Sequence, residues 1–159
     1  MRNFIDKLGI PIVIILLLIG GVLFWIYSKR PARPESNFNK AFFVDEETGV
    51  ESVNSIDAIP PLPGQGGKPT VVRALKFSCE GGKNPRTLYY LKYTPEAQAE
   101  LQSLPPDSPL RSDVITSGEL IRSPAADSEW VPATSSQADA LRIFPDCPGG
   151  QMVEVYPKK

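Results

Sequence analysis

The sequence contains no histidine among its 159 residues. Histidine is the commonest general base, the usual base of serine and cysteine catalytic triads, and the commonest protein ligand of transition metals. Its absence argues against triad hydrolases and against most metal enzymes. We therefore predict no catalytic or metal-binding residue and no cofactor.

An excess of charge of either sign is also missing. The chain has 17 basic and 18 acidic residues, a net charge of −1, and the two signs are interleaved. A protein that binds nucleic acid needs a clustered basic surface to neutralise phosphates. The sequence predicts no nucleic-acid partner.

Motifs for phosphate and calcium are incomplete. The glycine-rich segment 64–69 lacks the GxxxxGK[ST] spacing of a phosphate loop, and proline follows its lysine. The acidic run Asp45, Glu46 and Glu47 could supply calcium ligands, but the EF-hand pattern is absent. A hairpin tip is also where solvated acids normally lie, so we interpret the run as an exposed turn.

One long hydrophobic run covers residues 8–27 and contains no charge. About 20 residues at ~1.5 Å each give ~30 Å, the thickness of a bilayer core. We predict a transmembrane helix at 8–27, after a short tail at 1–7. The residues expected to anchor it at the membrane interface are Trp25, Tyr27, Lys29 and Arg30.

A cleavable signal peptide is the main alternative for this run. Its apolar part is normally ~7–15 residues and ends at small residues, whereas residues 24–27 are bulky. We interpret the run as a retained single-pass anchor in the cell (inner) membrane, with the lipid bilayer as a partner. Seven residues before it are too few for a domain, so we expect a cytoplasmic N-terminus and an extracytoplasmic C-terminal domain.

The rest of the chain reads as a Pro-containing linker at 28–40 and a small α+β domain at 41–159. We predict an antiparallel sheet of about five strands with one short helix, which Thr94 caps and Pro105 ends. The expected strands are a hairpin within 41–55, strands at 70–79 and 87–94, one or two within 113–123, and a closing strand at 151–157.

The only two cysteines are Cys79, at the end of the clearest predicted strand, and Cys147, in a turn before the last one. A disulfide between them would suit an extracytoplasmic domain. Two free thiols are the alternative. A metal site is disfavoured, because two cysteines without histidine rarely complete a tetrahedral shell.

Aromatic residues are concentrated in the predicted strands and in one later segment. They could form an interaction surface, although the core of a small sheet is the commoner use of such residues. The candidate surface residues are Phe42, Phe43, Tyr89, Tyr90, Tyr93 and Trp130.

Several segments together resemble a group of small uncharacterised single-span proteins of planctomycete-type bacteria. The resemblance rests on a short N-terminal anchor followed by FFVDEETG, IPP, a strand that ends in cysteine, YTPEA, a late tryptophan and Cys-Pro-Gly. These segments are at 42–49, 59–61, 79, 93–97, 130 and 147–149. The resemblance implies this architecture and no known activity.

We therefore predict a non-enzymatic, membrane-anchored accessory or interaction protein, a small subunit of a membrane or envelope complex with another protein as partner. A pilin-like or pseudopilin subunit is one alternative, although Pro31 and Pro34 would end its helix. An extracytoplasmic enzyme that uses carboxylates or a Ser–Lys pair is the other.

Overall fold

The computed structural model describes residues 19–21, 37–125, 127–143, 147 and 152–158. The chain divides into two units, Met1–Pro34 and Glu35–Lys159. In the first unit the description covers residues 19–21, which are helical. The folded domain described below belongs to the second unit.

The prediction of a transmembrane helix is wrong on this structure. None of the helices in the described residues is long and apolar enough to cross a membrane. Of the predicted span at 8–27 only residues 19–21 are described, and the remainder lies outside the described residues. The apolar composition of a run does not by itself establish a continuous helix of spanning length.

The domain is built on one sheet whose strands pair antiparallel throughout. The hairpin predicted within 41–55 and the strands at 70–79 and 87–94 are present. The strands are β1 Lys40–Asp45, β2 Glu51–Ser55, β3 Leu62–Pro63, β4 Pro69–Ser78, β5 Arg86–Tyr93, β6 Glu119–Arg122, β7 Val131–Pro132 and β8 Val153–Glu154.

The longest strand, β4, is the centre of the sheet, whose main order is β2-β1-β4-β5-β6-β7. Val71 pairs with both Asp45 and Leu62, so β1 and β3 lie on opposite edges of β4. Phe77 pairs with both β5 and β8, which places β8 on the β1 side. The central strand is therefore paired along both of its edges.

Three helices are described in the domain, where one was predicted: α1 Pro95–Ser103, α2 Arg111–Gly118 and α3 Ser136–Arg142. The prediction of α1 and of its Thr94 cap is confirmed, since the Thr94 hydroxyl accepts from the Ala97 amide at 3.2 Å. Ser135 caps α3 in the same way.

Residues 113–118 form the end of α2 and not the strand that was predicted. Val114 and Gly118 are buried four residues apart, which is a helical spacing, and Val114 packs against Ala97 and Leu101 of α1. The β-branched composition of this segment favours a strand, but contact with α1 outweighs that weak preference. The predicted strand begins only at Glu119.

All three helices lie against the same face of the sheet. Tyr93 of β5 packs with α1 and α2, while Ile121 and Leu91 pack with Ala138 of α3. We call this the helix-covered face and the opposite one the open face. In the part of the chain that the structure describes, no helix packs on the open face.

The Pro-rich segment that precedes β4 is fixed to the domain. Pro60 is fully buried, and the Gln98 side chain of α1 donates to the carbonyls of Ile59 and Pro61 at 3.1 and 2.7 Å. The Pro60 carbonyl accepts from the Tyr93 amide at 3.1 Å. This segment therefore lines the helix-covered face.

Candidate functional site

The six aromatic residues predicted as an interaction surface divide between the two faces. Side chains alternate along a strand, so neighbours such as Phe42 and Phe43 point to opposite sides. Phe43 is completely buried, and Tyr89 and Tyr93 pack with the helices. Burial accordingly raises the pKa of both tyrosines above the usual value. These three are core residues.

The other three, Phe42, Tyr90 and Trp130, are half-buried, and each has a cation over its ring. The pairing of Tyr90 with both Ala74 and Arg122 aligns these side chains on the open face. The aromatic surface is therefore smaller than predicted and includes basic residues. We call Phe42, Tyr90, Trp130, Lys76, Lys92 and Arg122, with Glu46 and Glu51, the open-face cluster.

Trp130 is at the centre of the cluster, because two cations share its ring. The Lys92 Nζ lies 4.1 Å and the Arg122 guanidinium 4.9 Å from the ring centroid. Arg122 also lies 5.5 Å from the ring centroid of Tyr90. Such cation–π contacts contribute about 0.5–1 kcal/mol each at exposed sites. They hold Trp130 against the sheet although it comes from a loop.

The carboxylate of Glu46 forms ion pairs with both of these cations. It lies 2.8 Å from Arg122 and 3.8 Å from Lys92. Burial lowers the pKa of Lys92, the Glu46 charge opposes that effect, and the Arg122 charge adds to it. The Nε of Arg122 is buried without a hydrogen-bond partner in the described residues. The cations here outnumber the acids that neutralise them.

A second contact group lies nearer the β2 edge of the open face. Lys76 is buried, its Nζ is 2.5 Å from the Glu51 carboxylate, and it lies 4.9 Å from the ring centroid of Phe42. Val72 and Ala74 share this face by strand alternation and are almost fully buried. Long side chains cover apolar surface with their stems, so the cluster shields Val72 and Ala74 from water.

The acidic run at 45–47 divides into three separate roles. The Asp45 side chain accepts from the Glu47 amide at 3.0 Å, Glu46 belongs to the open-face cluster, and Glu47 pairs with Lys68 at 3.2 Å. Among the described residues no group of three or more acidic, cysteine or histidine residues is arranged to hold a metal ion.

Asp45 is instead a structural centre of the β1–β2 turn. Burial raises its pKa, but hydrogen bonds from Glu47, Thr70, Gln65 and Thr48 outweigh burial and lower the pKa below its usual value. Its backbone carbonyl also accepts from the Gly49 amide at 2.7 Å. These bonds fix the turn that positions Glu46 in the cluster.

Cys79 and Cys147 are joined in a disulfide, with their Cα atoms 5.2 Å apart. The bond connects the end of β4 to the segment that precedes β8. The four predicted membrane anchors, Trp25, Tyr27, Lys29 and Arg30, lie outside the described residues.

The basic members of the cluster were not predicted as site residues. Lys92 lies two residues after Tyr90 on β5 and therefore on the same face, and Arg122 is the last residue of β6, so both were visible as charges within strands. Their meeting depends on the register that pairs Tyr90 with Arg122. That register could not be read from a single sequence.

Comparisons of the chain with protein-family models, with curated proteins and with solved structures give no match. The resemblance to single-span planctomycete-type proteins therefore stays a prediction.

Proposed function

We propose that the domain is a non-enzymatic interaction module, an accessory subunit that binds an acidic surface of a partner protein through the open-face cluster. The observation that supports this most strongly is Trp130 with the two cations on its ring. Tryptophan, tyrosine and arginine dominate the hot spots of protein interfaces. Here all three types are adjacent and half-buried on a sheet face.

The charge balance of the cluster defines the chemistry of the partner. Its contacts contain three cations, Lys76, Lys92 and Arg122, against two carboxylates. Glu46 is divided between two of these cations, so an acidic side chain of a partner would find incompletely neutralised positive charge. Complementary charge increases the association rate and the specificity of an interface.

The disulfide supports an extracytoplasmic location for this interaction. Disulfides persist in oxidising compartments and are rare in the cytosol, where thiols are kept reduced. The Cys79–Cys147 bond joins two residues that are 68 positions apart in the sequence. This cross-link would be lost in a reducing environment. We propose that the domain meets its partner on the oxidising side of the cell envelope.

The test is affinity capture with the full chain as bait, followed by mass spectrometry and titration of the captured protein. Trp130→Ala and Arg122→Gln should each weaken partner binding about tenfold or more, as expected for hot-spot residues. Binding should also weaken with added salt, because the cluster attracts its partner electrostatically. Thermal unfolding of each variant establishes that it is folded.

Two matched controls distinguish this surface from general loss of charge or aromatic area. Phe38 is an exposed aromatic residue, and Lys83 is an exposed lysine in the turn between β4 and β5. Phe38→Ala and Lys83→Gln should leave the affinity unchanged. Capture of no protein, or equal loss in the controls and the cluster variants, would reject the proposal.

A further inference from the structure

A cavity of about 260 Å³ lies on the helix-covered face, opposite the open-face cluster. Residues 56–60, which lead into the Pro-rich segment, form one wall, and helices α1 and α2 form another. Arg73 of β4 and Leu91 of β5 are paired in register at the sheet side. Most of the lining residues are apolar, including Ile59, Leu101 and Ile115, but polar atoms form slightly more of the exposed wall than apolar atoms do.

Arg73 is one of the two cations that line this cavity. It lies on the central strand, opposite both Phe43 and Leu91, so its side chain projects toward the helices. In the described part of the chain it forms no ion pair and no side-chain hydrogen bond. A guanidinium carries five N–H donors, so Arg73 has unused donors toward the cavity.

The acidic groups near Arg73 do not neutralise it by direct contact. Glu119 is close enough for the charge of Arg73 to lower its pKa, but its carboxylate lies 3.5 Å from Arg142. Asp57 lines the cavity without an ion pair in the described residues. Among the described residues, Arg73 therefore has no direct acidic partner.

Arg111, the second cation of the lining, has a structural role. Its Nη1 donates to the carbonyls of Leu101 and Leu104 at 2.7 and 3.1 Å, at the C-terminal end of α1. A basic side chain there satisfies the last carbonyls of a helix. Its charge nevertheless adds to that of Arg73, so the cavity has two cations and one acid.

We propose that this cavity binds a small monoanion with an apolar body, of the short-chain carboxylate class. The carboxylate pairs with Arg73, and the apolar part lies against Leu91, Leu101 and Ile115. Arginine pairs with carboxylates through two parallel hydrogen bonds, which gives geometric specificity as well as affinity. The volume is just below the ~300–1,000 Å³ of typical ligand pockets, which limits the ligand to a small molecule.

The test uses hexanoate as probe, with hexanol and hexylamine as matched ligands that lack the negative charge. Each is titrated into the full chain, and backbone amide shifts are followed by NMR. Hexanoate should saturate with a dissociation constant of about 1 mM or lower, as expected for a ligand this small. Its shifts should map to Leu91, Leu101 and Ile115. Hexanol should bind about tenfold more weakly, because it cannot form a charged pair.

Two variants identify the groups responsible. Arg73→Gln should weaken hexanoate about tenfold or more and leave hexanol unchanged, whereas Arg86→Gln, at the exposed start of β5, should affect neither. Ile115→Phe reduces the cavity volume without changing charge and should weaken the binding of both ligands. If Arg73→Gln fails to fold, this variant still tests whether the ligands occupy the cavity.

No saturable binding of hexanoate, equal affinity for hexanoate and hexanol, or full affinity in Arg73→Gln would overturn the proposal. These readouts come from the helix-covered face. A failure of the carboxylate-binding proposal therefore leaves the proposed partner interaction of the open-face cluster standing, and a failure of the partner interaction leaves the carboxylate site standing.

Discussion

Ala97 of α1 packs directly against Gly118, the last residue of α2. A methyl group on Gly118 would overlap the Cβ of Ala97 and lie 3.5 Å from its Cα. The Gly118 carbonyl also accepts from the Thr94 amide at 2.9 Å. This contact fixes two junctions, the one between β5 and α1 and the one between α2 and β6. Strand β5 contains Lys92, and strand β6 contains Arg122.

Gly118→Ala should therefore destabilise the domain, because the extra methyl group has no space. Overpacking of this kind costs about 1–3 kcal/mol. Urea denaturation followed by circular dichroism measures the change in the free energy of unfolding. Gly66→Ala is the matched control, since a Cβ there has no neighbour within 4 Å, and it should cost little.

A second substitution tests whether the Ala97 contact is the cause. Ala97→Gly alone should cost up to about 1 kcal/mol through helix propensity. Combined with Gly118→Ala it should recover part of the stability, because it removes the overlapping Cβ. Strictly additive losses in the double variant would show that the cost arises elsewhere.

The disulfide should contribute substantially to stability. Cross-linking two cysteines that are 68 residues apart stabilises by about 4 kcal/mol in the chain-entropy model, which is an upper value for real proteins. Denaturation with and without a reductant measures the difference. A Cys79→Ser/Cys147→Ser variant should match the reduced protein and should not respond to the reductant.

Asp45 should make the domain sensitive to acid. Its pKa is lower in the folded state than the usual value of 3.8 for an aspartate, so its contribution is complete above that pH. It is lost as pH falls through the folded-state pKa. Asp45→Asn should be less stable than the wild type at pH 7, and the difference should shrink toward pH ~2. A constant difference across this range would contradict the assignment.

Glu119 should have the opposite dependence on pH. Burial raises its pKa above 4.5, although Arg142 and Arg73 oppose the effect. Its contribution is therefore complete below 4.5 and is lost as pH rises through the folded-state pKa. Glu119→Gln should remove this part of the pH dependence of unfolding. The carboxyl pKa, followed by NMR, checks the direction independently.

Alternation of apolar and polar residues was sufficient to predict the two central strands, β4 and β5. In the segment 70–78 it separates Val72, Ala74 and Lys76 from Arg73 and Leu75, as the structure does. Alternation says nothing about which strands are neighbours. The short strands β3 and β7 were not predicted, because two-residue elements carry no measurable period.

The helices were harder to predict than the strands for a related reason. Segment 111–118 has the β-branched residues of a strand, and only its packing on α1 makes it a helix. The candidate sites depend even more on tertiary structure. Arg122 contacts Trp130 only because of the register of β6 and the course of the loop that precedes β7. Arg73 faces a cavity that exists only after two helices and the Pro-rich segment have packed.

The pairing of β8 with β4 has a consequence for biosynthesis. Phe77 and Ser78 find their partners in Glu154 and Val153, and Cys79 finds its partner in Cys147. While the ribosome is still making the segment between them, the nascent chain contains β4 without its partner β8 and Cys79 without its partner Cys147. Oxidation must therefore await the emergence of residue 147, and completion of the sheet must await that of residue 154.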